Sequence, residues 1–246
     1  MKHLLLLLLT AMVGADVCAA ASAEAESARE AARQYGAAVR NCDMVWALDS
    51  MYPPLRRTYA DQLGARRSGE ANAARLFTGA DPESAAKNKA RRDANEKALR
   101  AQYAKMGEAM KAQGVRIESF SVGSPTGEYL ATPPMSMVEA VRKDVNARTR
   151  AEEITAANRD YSRIVILPTT LVISMPGEDG ARTRIERRSY IYAVRDEYIS
   201  DTGRVRGTSL KKWYFVDGKT DVNTLRTFFP DLPVRLALPP CGDRQL

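Results

Sequence analysis

Histidine occurs once in the 246-residue chain, at His3. Imidazole is the base of a Ser-His-Asp triad, the partner of a catalytic thiol and the commonest nitrogen ligand of zinc. His3 lies in a stretch that reads as a leader, so the processed chain is expected to carry none of these chemistries. Thiols are nearly as scarce, at Cys18, Cys42 and Cys241. Two thiols without histidine make a poor metal site, and no cofactor is expected.

The leader itself is explicit. Met1-Lys2-His3 is a short basic start, Leu4 to Leu9 is an unbroken leucine run, and Ala21-Ser22-Ala23 is a small-residue cleavage site, the pattern of a secretory signal peptide over 1–23. A spanning helix needs about 20 apolar residues, and Asp16 interrupts this run. Lipidation at Cys18 is disfavoured because Asp16-Val17 precedes it where a lipobox needs a small residue. Export to the periplasm or the extracellular medium is therefore expected, with no transmembrane segment in the processed chain. Removal of Lys2 and Asp16 with the leader leaves 36 basic and 29 acidic residues, still +7.

In an oxidising compartment the two remaining cysteines could pair, and a Cys42–Cys241 bridge would close nearly the whole chain into a loop. The alternative is a buried thiol at Cys42 and a loose one at Cys241.

The elements that must position any site are legible in order. Residues 24–113 read as helical. A long helix is expected from Glu24 to about Ser50, with Tyr35, Val39, Cys42 and Trp46 on one apolar stripe. Leu55, Tyr59 and Leu63 suggest a second helix after Pro53-Pro54. Asp81-Pro82-Glu83 is a helix start, with Asp81 as N-cap and Pro82 at the first helical position. That helix, over 82–113, carries the stripe Leu99, Tyr103, Met106 and Met110.

Its other face is basic. Lys87, Lys89, Arg91, Arg92, Lys97, Arg100, Lys105 and Lys111 stand against Asp93, Glu96 and Glu108. This is either a solvated helix face or a contact for an anionic envelope surface. Export argues against nucleic acid as a partner.

Val115 to Val122 and Glu128 to Leu130 read as strands around a Gly123–Gly127 turn. A charge-balanced helical segment over 135–160 looks like an insertion. Antiparallel strands then occupy 163–218. In Ile164 to Met175 one parity is apolar and the other mixed, so one face should be buried and the other partly covered. Pro168 predicts a bulge or an edge there. Pro176 to Gly180 is a hairpin turn, Arg182 to Ile199 the return strand, Ser200 to Ser209 a loop, and Leu210 to Val216 a third strand. A short helix, Asp221 to Phe229, and an extended tail over 230–246 follow. The fold class is α+β, with N-terminal helices packed on a curved antiparallel sheet.

A long N-terminal helix followed by an antiparallel sheet that ends in Trp213-Tyr214-Phe215-Val216-Asp217-Gly218 resembles the nuclear transport factor 2-like superfamily. The closest likeness is to exported bacterial members that continue into a segment such as Phe229-Pro230-Asp231-Leu232-Pro233. The resemblance implies a cone in which the sheet wraps the first helix. Members include isomerases, dehydratases, ligand-binding modules and interaction domains, so the fold does not choose among them. For an enzyme it implies a buried carboxylate, Asp43 or Asp49, with Tyr35, Tyr52, Tyr190 or Tyr192 as hydrogen-bond donors. For a binding module it implies a pocket lined by Tyr35, Trp46 and Tyr192, open to a small molecule or an envelope protein.

Overall fold

The computed structural model describes residues 21–68, 82–131, 159–177, 180–199, 205–206, 212–220 and 222–246. The expected leader over 1–23 and the expected helical insertion over 135–160 fall almost wholly outside them. Helices α1 (Ala23–Arg40), α2 (Met44–Asp49), α3 (Pro53–Ser68) and α4 (Pro82–Ala112) precede strands β1 (Arg116–Val122), β2 (Gly127–Ala131), β3 (Arg159–Pro176), β4 (Arg182–Ile199), β5 (Val205–Arg206) and β6 (Tyr214–Asp217). Helix α5 (Val222–Phe228) and strand β7 (Gly242–Gln245) complete the order. The class is α+β. No described helix is long and apolar enough to cross a membrane.

Two 18-residue strands, β3 and β4, form the axis of the sheet in unbroken antiparallel register from Arg159↔Ile199 to Pro176↔Arg182. β1 and β2 pair one after the other along the outer side of β3. Pro168 falls between them, opposite the β1–β2 turn, where its carbonyl accepts from Gly123 N–H and no N–H is asked of the proline. The outer side of β4 is tiled by β7, β6 and β5, which come from distant parts of the chain. β5 lies where a loop was expected, and β7 lies in the expected tail.

Both faces of the middle of the sheet are buried. Val165, Leu167, Ile191, Ala193 and Phe215 face α1, and Ile164, Ile166, Tyr190, Tyr192, Val194 and Val216 face the start of α3, α5 and the segment through Leu236. The mixed parity of β3 is thus a second core face rather than a partly covered one.

Helix α1 can approach the sheet because its inward stripe, Ala25, Ala28, Ala32 and Gly36, is small. A Cβ on Gly36 would fall 2.2 Å from the Phe120 ring. Ser22 caps the helix through Ala25 N–H and donates to Glu128 of β2 at 2.6 Å, and Glu128 also pairs with Arg163. Capping of this kind contributes about 1 kcal/mol. Processing after Ala23 would remove the cap, whereas processing after Ala21 would keep it.

The expected continuous helix to Ser50 is broken after Arg40. Asp43 N–H reaches Ala38 C=O and Cys42 N–H reaches Val39 C=O, each at 3.0 Å, with Cys42 at φ 54°. This is a Schellman closure with cysteine in the left-handed position that glycine usually holds. Asp43 then starts α2 by accepting from Trp46 N–H at 3.0 Å. The new helix direction takes Trp46 off the buried stripe and leaves it 38% exposed.

Cross-strand ion pairs tie the outer strands to β4. Arg184 donates twice to Glu118 of β1, and Arg187 donates twice to Asp243 of β7. These bonds hold both carboxyls below the usual carboxylate range. A carboxyl whose pKa is lowered by folding stabilises the fold above its unfolded pKa, near 4, and loses that contribution as pH falls through the folded value. Arg184→Gln should therefore lower the urea midpoint at pH 7, and the gap to wild type should close below roughly pH 3. A gap of constant size at both pH values would exclude the ion pair as its cause.

Candidate functional site

The aromatic residues expected to line one pocket are divided by the sheet. Tyr35 and Trp46 come together, with ring centroids 6.4 Å apart, and Tyr35 also packs on Phe120 at 6.2 Å and on Phe215 at 4.9 Å. Tyr192 lies on the opposite face, edge-on to Tyr190 at 5.5 Å within the second core. Alternation in β4 and β6 requires this separation: Phe215 pairs with Ala193 and Val216 with Tyr192, so neighbouring residues point to opposite sides.

The Tyr35 group sits at the junction of α1, α2, α4 and β6. Burial first, then the Asp217 charge and the Tyr103 hydroxyl, together push the Tyr35 phenol up to about 12. Tyr103 is also raised, first by burial, then by Tyr59 and Asp217. Tyr59 and Tyr103 pack together against the small core of Leu48, Ala60 and Leu99 between α3 and α4. Phenols shifted upward stay protonated at neutral pH and act as donors rather than bases. Trp46 adds an exposed indole beside them.

Sequence reasoning named Tyr35 and Trp46 as site residues but not Tyr59, Tyr103 or Asp217. Tyr103 stood on the α4 stripe and Asp217 at the end of the Trp213–Gly218 strand, so each was visible as a packing or turn residue without a sign of where it would meet Tyr35. Met106 of the same stripe turns outward and is 42% exposed.

Neither carboxylate proposed as a general base faces an interior. Asp43 is an exposed helix cap. Asp49 accepts from Arg100 at 2.5 Å and lies 3.9 Å from Arg56, on the surface between α2 and α4. Among the described residues, no group of three or more histidine, cysteine, aspartate or glutamate side chains could hold a metal ion.

The expected Cys42–Cys241 bridge is not formed, and both thiols are free. Cys42 is buried in the α1–α2 corner, whose carbonyl faces Gly107 of α4, while Cys241 is exposed just ahead of β7. Docking of β7 on β4 fixes Cys241 near the Tyr192 side of the sheet, whereas Cys42 belongs to the helical layer over the other face. On the basic helix, Lys87, Lys89 and Arg92 are exposed and Arg91 is half-buried.

Tyr192 has no exposure, and its hydroxyl has no hydrogen-bond partner among the described residues. Burial raises its pKa, and the adjacent Tyr190 raises it further although the two hydroxyls do not meet in hydrogen-bond geometry. An unpaired buried hydroxyl costs about 1–3 kcal/mol. Tyr192→Phe should accordingly stabilise the protein by about 1 kcal/mol in urea unfolding. A loss of stability would mean that the hydroxyl has found a partner, such as an enclosed water.

No family model, no curated protein and no solved structure matches the chain.

Proposed function

We propose that the chain is a non-enzymatic binding module of the cell envelope, taking a small ligand or an envelope protein at the Tyr35–Trp46 group. The observation that carries this reading is the placement of the two carboxylates: Asp43 is spent as a helix cap and Asp49 in an ion pair with Arg100. A general base must reach the proton it removes, and neither is aimed toward the tyrosines. What remains at the junction of α1, α2 and α4 is protonated phenol beside exposed indole, a combination that offers donors and apolar contact area. The leader motivates the envelope assignment, and an α+β layout with a helix laid over an antiparallel sheet is compatible with a nuclear transport factor 2-like module.

Native mass spectrometry of the exported protein tests the small-ligand form. A bound mass that disappears in Trp46→Ala and weakens in Tyr35→Phe supports it. A bare polypeptide mass leaves the protein-partner form, and binding that survives both substitutions rejects this location. The runner-up, a periplasmic isomerase or dehydratase, would need proton exchange on a substrate that is abolished by Asp43→Asn or Asp49→Asn without loss of the folded state.

A further inference from the structure

The far half of the β3–β4 ribbon has two unlike faces. On the α1 side the cross-strand rows are Ile117–Ile173–Ile185–Gln245 and Phe120–Leu171–Arg187–Asp243. On the other side they are Arg116–Ser174–Arg184, Ser119–Val172–Glu186–Arg244 and Ser121–Thr170–Arg188–Gly242. The bulge between Ile117 and Ser119 turns Glu118 to this second side, where it meets Arg184 at 2.7 Å. Arg182 joins them through the Ser174 hydroxyl.

The second face therefore gathers Arg116, Arg182, Arg184, Arg188 and Arg244 against Glu118 and Glu186. Arg184 is balanced by Glu118. Arg188 and Arg244 share the single charge of Glu186 at 3.4 and 3.2 Å. Among the described residues Arg182 donates to neutral acceptors, the Ser174 hydroxyl and carbonyl and the Gly114 carbonyl at the end of α4. Arg116 is exposed and has no partner among the described residues. The side chains of Arg184, Arg188 and Arg244 remain 50%, 58% and 61% exposed. Among the described residues three positive charges are thus left over, and the two glutamates and Ser174 hold four of the five guanidinium groups in place.

Every described cation of this face is arginine, whose planar fork matches phosphate and carboxylate oxygens. Residues on one face of a strand recur about every 6.8 Å, and neighbouring strands lie about 4.8 Å apart, so the charges form a grid rather than a single pocket. The described part of the face carries no aromatic residue, so it has no stacking platform for bases. Leu246, whose N–H bonds the Arg184 carbonyl, is an exposed apolar side chain at its edge, and a single rim leucine does not make the clustered aromatic anchor of a folded partner. Isolated exposed ion pairs contribute little. A grid of this kind gains affinity from a polymer of high linear charge density, whose condensed counterions are released on contact.

We infer that this arginine face binds a linear phosphodiester polymer through its backbone phosphates, without base recognition. The site is separate from the Tyr35–Trp46 group, on the other side of the sheet.

Fluorescence anisotropy with labelled poly(glycerol phosphate) tests it on the full processed chain. Binding should weaken with salt, with a log–log slope of about −2 to −3.5, for three to five phosphates at roughly 0.7 each. The triple variant Arg184→Gln, Arg188→Gln, Arg244→Gln should bind at least roughly tenfold more weakly and lose about two units of that slope. Glu186→Gln, which releases Arg188 and Arg244 from their shared carboxylate, should strengthen binding severalfold, a gain that loss of the fold could not produce. The triple variant is compared at a urea concentration where its circular dichroism matches wild type. Lys97→Gln, Lys105→Gln, Lys111→Gln removes the same charge from α4 and should change binding less than twofold. An equal loss in the α4 variant would overturn the proposal in favour of net charge alone. Tighter binding of oligothymidylate at equal charge would overturn it in favour of base contact, and equal binding of polyglutamate would overturn the phosphate assignment.

Discussion

Phe229→Ala is expected to lower unfolding stability by about 4 kcal/mol, the usual loss when a fully enclosed phenylalanine is emptied. Phe229 has no exposed surface and closes the face of the sheet that carries Tyr192 and Val216. Its ring lies 5.5 Å from that of Tyr52, and its N–H ends α5 on the Leu225 carbonyl at 3.0 Å. Tyr52 cannot collapse into the space easily, because its own N–H is tied to the Phe215 carbonyl at 3.0 Å. A cavity that persists adds its own penalty to the lost transfer energy. Small domains are stable by only about 5–15 kcal/mol, so this one change should remove a large share. Urea unfolding with an unchanged m-value would report it, and a loss below about 1 kcal/mol would mean that the face repacks without a void.

Gly107→Ala should cost about 2–3 kcal/mol, against the ordinary direction of glycine replacement in a helix. In α4 the alanine would gain about 0.5–1 kcal/mol of backbone entropy. The added Cβ, however, would fall 2.5 Å from the Cys42 carbonyl oxygen, a backbone atom fixed by the Schellman closure of α1. Relief requires α4 to move away from the corner that sets Trp46 beside Tyr35, and overpacking of that kind outweighs the entropy gain. Met106→Ala, one residue away and exposed, should change stability by less than about 0.5 kcal/mol. If Gly107→Ala were neutral as well, the close approach of α4 to the α1–α2 corner would be wrong.

The β3–β4 hairpin was legible because its signals are local and redundant. An apolar run rich in β-branched residues, Ile164 to Met175, precedes Pro176-Gly177, and a return strand that alternates arginine with threonine and isoleucine follows Gly180. The Gly177 N–H closes the turn on the Ala181 carbonyl at 2.6 Å. The break after Arg40 was not legible. The apolar spacing of Tyr35, Val39, Cys42 and Trp46 runs through it at helical period, and the left-handed position is held by a cysteine instead of the glycine that would announce it. The misplacement of Trp46 on a buried stripe follows from that one missed turn. β7 was hidden for a different reason: Gly242-Asp243-Arg244-Gln245 has no apolar alternation, and all four residues stay exposed. Its register is marked instead by charges, Asp243 on Arg187 and Arg244 on Glu186, that only the folded sheet brings together. The candidate site suffered similarly, since Tyr35 and Tyr103 lie far apart in sequence.

The tiling of the outer side of β4 also sets the order in which that strand acquires neighbours during synthesis. β3 is made before β4, β6 follows within the next stretch of chain, and β7 is translated only after α5 and the proline-rich segment behind it. Until residues 242–245 emerge, the backbone of Ile185–Arg188 has β3 on one side and none of the described strands on the other. Unpaired strand edges recruit strands from other molecules. Arg184, Arg187 and Arg188 are concentrated on this late-closing stretch, the kind of charge that blunts an exposed strand edge.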